Sequence, residues 1–348
     1  MSRAKRKLDH VNYALKTGQS NRQGLDDIRF VHNALSGVSF HEVSFETEIG
    51  DLELRSPIFI NAMTGGTAEV EHLNRQLAEV AREAGLAMAV GSQMAAIKDT
   101  GQMDSYQVVR AVNPKGIVFA NIGSEATVTQ GQRAVDMLEA DALQVHLNVV
   151  QELTMPEGDR DFSYVLRRIE ALAKGVSVPV WVKEVGFGIS REVAKQLENV
   201  GVSAIDVGGK GGTNFARIEN LRREEPYAFF ESWGLRTAEA LLEVSQETGL
   251  PLTATGGIQH ALHVAKCLAM GASAVGMAGF LLRAVDERGV AGTVQLVEHL
   301  HHELQVIMTA LGCRSVKQLN KVPLVISGST RDWLEARGYS PTIWSNRP

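Results

Sequence analysis

Eight short apolar runs punctuate the chain, and small or polar residues end them. The runs are Pro57 to Ala62, Ala87 to Gly91, Gly116 to Asn121, Ala142 to Leu147, Val178 to Lys183, Ala204 to Gly208, Pro251 to Thr255 and Ala274 to Ala278. Each is mostly hydrophobic and bounded by Gly, Pro or Asn, the pattern of strands buried on both faces of a parallel sheet. Their starts lie 23 to 47 residues apart, which leaves room for one helix per interval. Helical periodicity fills those intervals. Val70, Leu73, Leu77, Val80, Ala81 and Ala84 recur every three or four positions until Gly85 stops them. Val193, Ala194, Leu197 and Val200 do the same before Gly201, and Leu262, Val264, Ala265, Leu268 and Ala269 before Gly271. This alternation predicts one α/β domain. Eight units favour a closed (β/α)8 TIM barrel. An open doubly wound sheet would carry Gly-x-Gly-x-x-Gly after its first strand, where this chain has Met63-Thr64-Gly65-Gly66.

Two segments fall outside the repeat. Residues 1–50 form an N-terminal extension with no strong strand, only a loose alternation from Phe40 to Ile49; the barrel is assigned to 51–348. The longest interval, between the sixth and seventh strands, predicts a lid-like loop at about 209–233. A solvated insertion is the plainer alternative. Leu300, Leu304, Ile307 and Leu311 mark an apolar face near the C-terminus that suits either the barrel or a partner.

Composition narrows the class. At 348 residues, 44% hydrophobic and 22% charged, the chain suits a soluble globular protein with a sizeable core. Its formal charge of −5 gives no basic field for nucleic acid. No apolar run approaches the ~20 residues that span a membrane. The opening MSRAKRKLDH has no apolar core, so a secretory signal is not expected. Cys267 and Cys313 form no Cys-x-x-Cys pair, and a reducing, cytoplasmic setting is expected.

Chemistry gathers at the strand ends, where a barrel keeps its active site. Thr255-Gly256-Gly257-Ile258 follows the seventh strand and Ala278-Gly279 the eighth, the two loops that bind phosphate through backbone N–H groups in many barrels. Lys183 ends the fifth strand and is expected to face the mouth, where it would neutralise charge on a cofactor or form a Schiff base. A lysine snorkelling to solvent, or paired with Glu184, is the simpler alternative. His146 and Asn148 share a side of an extended segment, with Gln151 and Glu152 in the following loop. Together they suit a polar substrate, and the single Glu152 suits a magnesium diphosphate better than a dedicated metal cage. Arg3, Lys5, Arg6, Lys7 and His10 make either a solvated surface or a basic arm for an anion. Gly-x-Ser-x-Gly, His-Glu-x-x-His and Walker signatures are absent.

The strings Arg6-Lys7, Asn61-Ala62-Met63-Thr64-Gly65-Gly66, Val90-Gly91-Ser92-Gln93, Phe119-Ala120-Asn121, His146-Leu147-Asn148, Gln151-Glu152, Val182-Lys183-Glu184-Val185-Gly186, Gly211-Gly212-Thr213-Asn214-Phe215 and Thr255-Gly256-Gly257 carry a resemblance. Along nearly its full length the chain resembles the type 2 isopentenyl-diphosphate isomerases. The resemblance implies an FMN-binding (β/α)8 barrel that interconverts isopentenyl and dimethylallyl diphosphate, using Mg²⁺ and flavin reduced by NADPH. It implies that Ala62, Met63, Thr64, Ser92, Asn121, Lys183 and Thr213 line the flavin. The backbone of Gly257, Ile258 and Gln259 and of Ala278-Gly279 would hold its phosphate. Arg6, Lys7, His146, Asn148 and Gln151 would meet the substrate and Glu152 the magnesium. Lys183, His146 and Gln151 would be the catalytic side chains, with reduced FMN as the acid–base group. A homo-oligomer, tetramer or octamer, is also implied.

Two positions depart from the family pattern. Met94 follows Gly-Ser-Gln, and Gln259 follows the Gly-Gly pair, where many members have arginine. Arg6, Lys7 or an arginine of the long loop are candidates to restore the charge. Two rivals remain at this level. An FMN-dependent 2-hydroxy-acid oxidase on the same barrel would need a His-Gly-Gly-Arg run, but the corresponding loop reads Gly208-Gly209-Lys210-Gly211-Gly212-Thr213. A non-catalytic flavin binder would have no need of His146, Gln151 and Glu152.

Overall fold

The structure, a computed structural model, describes residues 23–348. Eight parallel strands close into a barrel: β1 (Ile58–Ile60), β2 (Ala87–Ala89), β3 (Val118–Gly123), β4 (Ala142–Leu147), β5 (Val180–Glu184), β6 (Ala204–Asp206), β7 (Leu252–Ala254) and β8 (Ala274–Met277). Neighbours in sequence are neighbours in space. The ring closes where β8 meets β1, with Val275 opposite Ile58 and Met277 opposite Ile60. All eight strands fall within the runs read from the sequence or overrun them by one or two residues. The predicted helices form at Glu71–Ala84, Arg191–Asn199 and Ala261–Ala269, and Gly85 ends the first in the left-handed conformation at φ 69°.

Side-chain alternation sorts the strands into an outer and an inner set. Outward residues such as Val118, Ala120 and Ile122 pack with the helices. Inward residues change character with height. Phe59, Phe119 and Trp181 form an apolar floor, the Phe119 and Trp181 rings 4.5 Å apart between centroids. Each such buried side chain contributes roughly 1.5–3 kcal/mol. Two residues further along the same strands stand Asn61, Asn121 and Lys183, joined by Gln144 and Asp206, all buried. The barrel is therefore greasy at its base and polar one level higher.

The extension and the residues just after it contain strands of which the sequence showed only the loose alternation from Phe40 to Ile49. Ile28–Phe30 pairs antiparallel with Leu324–Ile326. Thr47–Ile49 and Leu52–Leu54 form a hairpin turned by Gly50, and its Ile49 and Leu54 join the aromatic floor from below. The hairpin plugs the N-terminal end of the barrel. Near the C-terminus, one long helical stretch, Gly279–Leu311, breaks at Gly289 and packs along helix Glu71–Ala84. Leu300 and Leu304 are buried there, with Ile307 and Leu311 against the same core, so this face covers the barrel. Among the described residues no helix is long and apolar enough to cross a membrane.

Candidate active site

A single large cleft occupies the C-terminal mouth of the barrel, about 1640 Å³ counted with its open top. It is lined from the ends of all eight barrel strands and from the long loop after β6.

The side that suits phosphate is built from two interlocked turns. A methyl placed on Gly257 (φ +77°) would lie 2.5 Å from the carbonyl oxygen of Gly211, so the turn after β7 rests directly on the turn after β6. Only glycine permits that approach. Next to it, the helix that begins at Gly279 opens onto the cleft. Its first amides have no carbonyl behind them, which makes them donors for an oxyanion. Gly257, Ile258, Ala278 and Gly279 line the cleft; Gln259, half-buried, does not.

The deeper wall carries the residues expected for a ring. Ala62, Met63 and Thr64 follow β1, Ser92 follows β2, Asn121 ends its run on β3, and Thr213 comes from the long loop; all face the cleft. Lys183 does too, and is only 6% exposed. It does not snorkel and does not pair with the Glu184 carboxylate. Its Nζ donates to the Glu184 carbonyl at 2.9 Å. Burial pulls the Lys183 pKa down, and the nearby Asp206 charge opposes this. The Glu184 carboxylate instead accepts the backbone N–H groups of Gly186, Phe187 and Gly188, while burial pushes its pKa up to about 7.

Across the mouth stand His146, Asn148, Gln151 and Glu152. His146 Nδ1 lies 2.8 Å from Asn121 Oδ1. Asn148 Nδ2 donates to Glu152 Oε1 at 2.9 Å, and the Asp159 N–H donates to Glu152 Oε2 at the same distance. Among the described residues no three His, Cys, Asp or Glu side chains converge as a metal cage. Glu152 has Glu125 near enough for their charges to interact, and burial raises the Glu125 pKa. One or two carboxylates of this kind suit a magnesium ion shared with substrate phosphates.

Several functional groups escaped the sequence reading. Glu125 lines the cleft, Asp206 lies buried beneath it, and Glu219 is fully buried between Gln151 Nε2, at 3.4 Å, and Arg222. Of the long loop's three arginines, Arg222 is held by Glu219 and Glu157, Arg223 lies over the Tyr227 ring at 4.0 Å and Arg217 is exposed. None of the three lines the cleft. Met94 lines it as a buried apolar residue. Arg6 and Lys7 lie outside the described residues.

Residues 109–325 match the family of FMN-dependent dehydrogenases, so the barrel belongs to the flavin-binding class, and its glycine cradle fits an FMN phosphate. Solved structures with the same fold include a mandelate oxidase variant bearing an FMN adduct (20% identity, TM-score 0.65, 90% of this chain and 92% of that one). Another is a lactate oxidase from Pediococcus acidilactici (17%, TM-score 0.67, 91% and 87%). Much nearer in sequence are curated isopentenyl-diphosphate delta-isomerases. Those of Bacillus licheniformis and Bacillus cytotoxicus are 56% identical and that of Geobacillus sp. strain WCH70 is 54% identical, each over the whole of both chains. The chain belongs to the isopentenyl-diphosphate delta-isomerases, in their FMN-dependent, type 2 form.

Proposed function

We propose that the chain interconverts isopentenyl and dimethylallyl diphosphate in isoprenoid biosynthesis, with FMN as its resident cofactor and Mg²⁺ and NADPH as further requirements. One observation carries the reading. A phosphate cradle at Gly257 and Gly279 and a polar cluster at His146, Asn148, Gln151 and Glu152 face each other across one cleft. They do so in a chain 56% identical, end to end, to curated isomerases.

The reaction moves a double bond. One proton is added at the terminal alkene carbon and another leaves C2, so composition and oxidation state are unchanged. When bound, FMN reduced by NADPH supplies the acid–base group for these transfers. The chain's own residues do the rest. Backbone N–H groups of Gly257 and Ile258 and of the helix start at Ala278-Gly279 hold the cofactor phosphate. Ala62, Met63, Thr64, Ser92, Asn121 and Thr213 shape the ring site, and Lys183 places a cation there that favours an anionic ring. His146, Asn148 and Gln151 bind the substrate, and Glu152 anchors Mg²⁺ on the diphosphate. An alkene is a weak base, so orientation and exclusion of water matter. Residues 209–233 act as the lid, and the extension 1–50 brings Arg6 and Lys7 to the 51–348 barrel. The enzyme works in the cytoplasm as a homo-oligomer, a tetramer or octamer.

The test is anaerobic turnover of isopentenyl diphosphate with FMN, Mg²⁺ and NADPH, repeated with each omitted. Dependence on all three is expected. Turnover in air without reductant would remove the reduced-flavin role. A flavin-loaded protein with no turnover would remove the isomerase, and bleaching of that flavin by lactate or glycolate would install the oxidase.

A further inference from the structure

A line of buried polar side chains crosses the barrel just above its aromatic floor, and its order carries information. Asp206 Oδ1 accepts from the Gly208 N–H at 3.1 Å and the Thr255 hydroxyl at 2.7 Å, and Oδ2 accepts from Asn61 Nδ2 at 2.7 Å. The Ala62 N–H donates to Asn61 Oδ1 at 2.8 Å. A backbone N–H only donates and a carboxylate only accepts, so two independent partners fix the Asn61 amide in one orientation. Its oxygen also accepts from Gln144 Nε2 at 3.3 Å. That turns Gln144 Oε1 to Asn121 Nδ2 at 3.4 Å, which in turn leaves Asn121 Oδ1 to face His146 Nδ1 at 2.8 Å. A carbonyl oxygen has no proton to give, so the proton of that last bond sits on Nδ1. Reversing any one amide would set donor against donor or acceptor against acceptor in a buried site, at about 1–3 kcal/mol per unsatisfied group. Asp206, Asn61, Gln144 and Asn121 are each at most 3% exposed, so water cannot relieve the mismatch.

We infer that Asp206 is a positioning residue for His146: through Asn61, Gln144 and Asn121 it holds the imidazole as the Nδ1–H tautomer and makes Nε2 the nitrogen that serves the cleft. The bond to Asn121 survives protonation of the ring, because Nδ1 carries a proton in both states. Nε2 therefore accepts from a substrate oxygen or donates to it without the ring turning. This rests on reading His146 as a substrate ligand. The tautomer, however, is measured without turnover, so the two ideas fail separately.

The experiment is two-bond ¹H–¹⁵N NMR of the full chain with FMN bound and ¹⁵N-labelled histidine, the His146 signals assigned by loss in His146→Gln. Wild type should show a protonated Nδ1 and an unprotonated Nε2 in neutral His146. Gln144→Met keeps the volume but cuts the line. It should release the tautomer to a mixture or to Nε2–H and lower kcat about 10- to 100-fold, with a smaller change in KM. Gln144→Glu, whose neutral carboxyl still donates to Asn61 and accepts from Asn121, should keep the Nδ1–H form. Asp206→Asn should behave as Gln144→Met; if it does not fold, the Gln144 pair and the wild-type spectrum decide. A wild-type Nε2–H tautomer, or an unmoved tautomer in Gln144→Met, overturns the inference.

Discussion

Gly257 and Gly201 share nearly the same backbone angle, φ +77° and +84°, in opposite surroundings, and the pair separates two effects that are usually confounded. An alanine at positive φ costs about 1–2 kcal/mol wherever it sits. At Gly201 an added methyl meets nothing within 4 Å, so that conformational cost is the whole expected effect. At Gly257 the methyl would lie 2.5 Å from Gly211 O, 2.6 Å from its carbonyl carbon and 3.0 Å from its Cα. Those atoms are backbone and cannot swing aside. The two turns must part, which adds overpacking strain of about 1–3 kcal/mol. Gly257→Ala should therefore lose about 2–5 kcal/mol in urea denaturation and Gly201→Ala only about 1–2. On the proposed reading, the displaced turn also offers its amides to the flavin phosphate. One misplaced hydrogen bond to a charged group, at about 1.5–3 kcal/mol, weakens FMN binding by at least roughly tenfold. Quenching of FMN fluorescence measures this directly, and Gly201→Ala should bind as wild type does. Equal stability losses in the two variants, or wild-type FMN affinity in Gly257→Ala, would refute the close-approach argument.

Burial holds the His263 pKa down to about 3, helped by His260 and Lys266, whereas the unfolded chain protonates this histidine near pH 6.5. Stability present above pH 6.5 is thus lost as pH falls toward 3. Between pH 7 and 5 the loss should be about 2 kcal/mol, and His263→Asn should remove most of it; parallel urea curves for both proteins would show that His263 is not responsible. Removing the fully buried Glu219 leaves Arg222 only the more exposed Glu157, so Glu219→Ala should cost up to about 3–5 kcal/mol, with part recovered in the double variant with Arg222→Met; strictly additive losses would contradict the pairing. Glu152→Gln should raise the magnesium concentration needed for half-maximal turnover by at least about tenfold, and an unchanged requirement removes Glu152 as the ligand.

The barrel was legible because each of its strands announces itself locally, as a short buried run with a small or polar stop. The same logic brought the cleft residues from Ala62 to Gly279 together in advance, since strand ends in a closed barrel share one mouth. What escaped depends on distance. Ile28–Phe30 reads as nothing in particular until Leu324–Ile326, some three hundred residues later, supplies its pairing edge. The hairpin strands Thr47–Ile49 and Leu52–Leu54 are too short to show a period. Asp206 lay inside an apolar run, and only ring closure sets Asn61 beside it. Glu219 sits on a short helix, Phe215–Asn220, within the long loop, where no periodicity distinguishes a buried acid from a solvated one.

The hairpin at the base has a consequence for traffic. With Ile49 and Leu54 sealing the aromatic floor, the barrel is a vessel with one opening. Whatever enters the cleft, and whatever leaves it, passes the same mouth. Cofactor and substrate would therefore share one door, and the seal at the base makes the loops at the top the sole control on traffic.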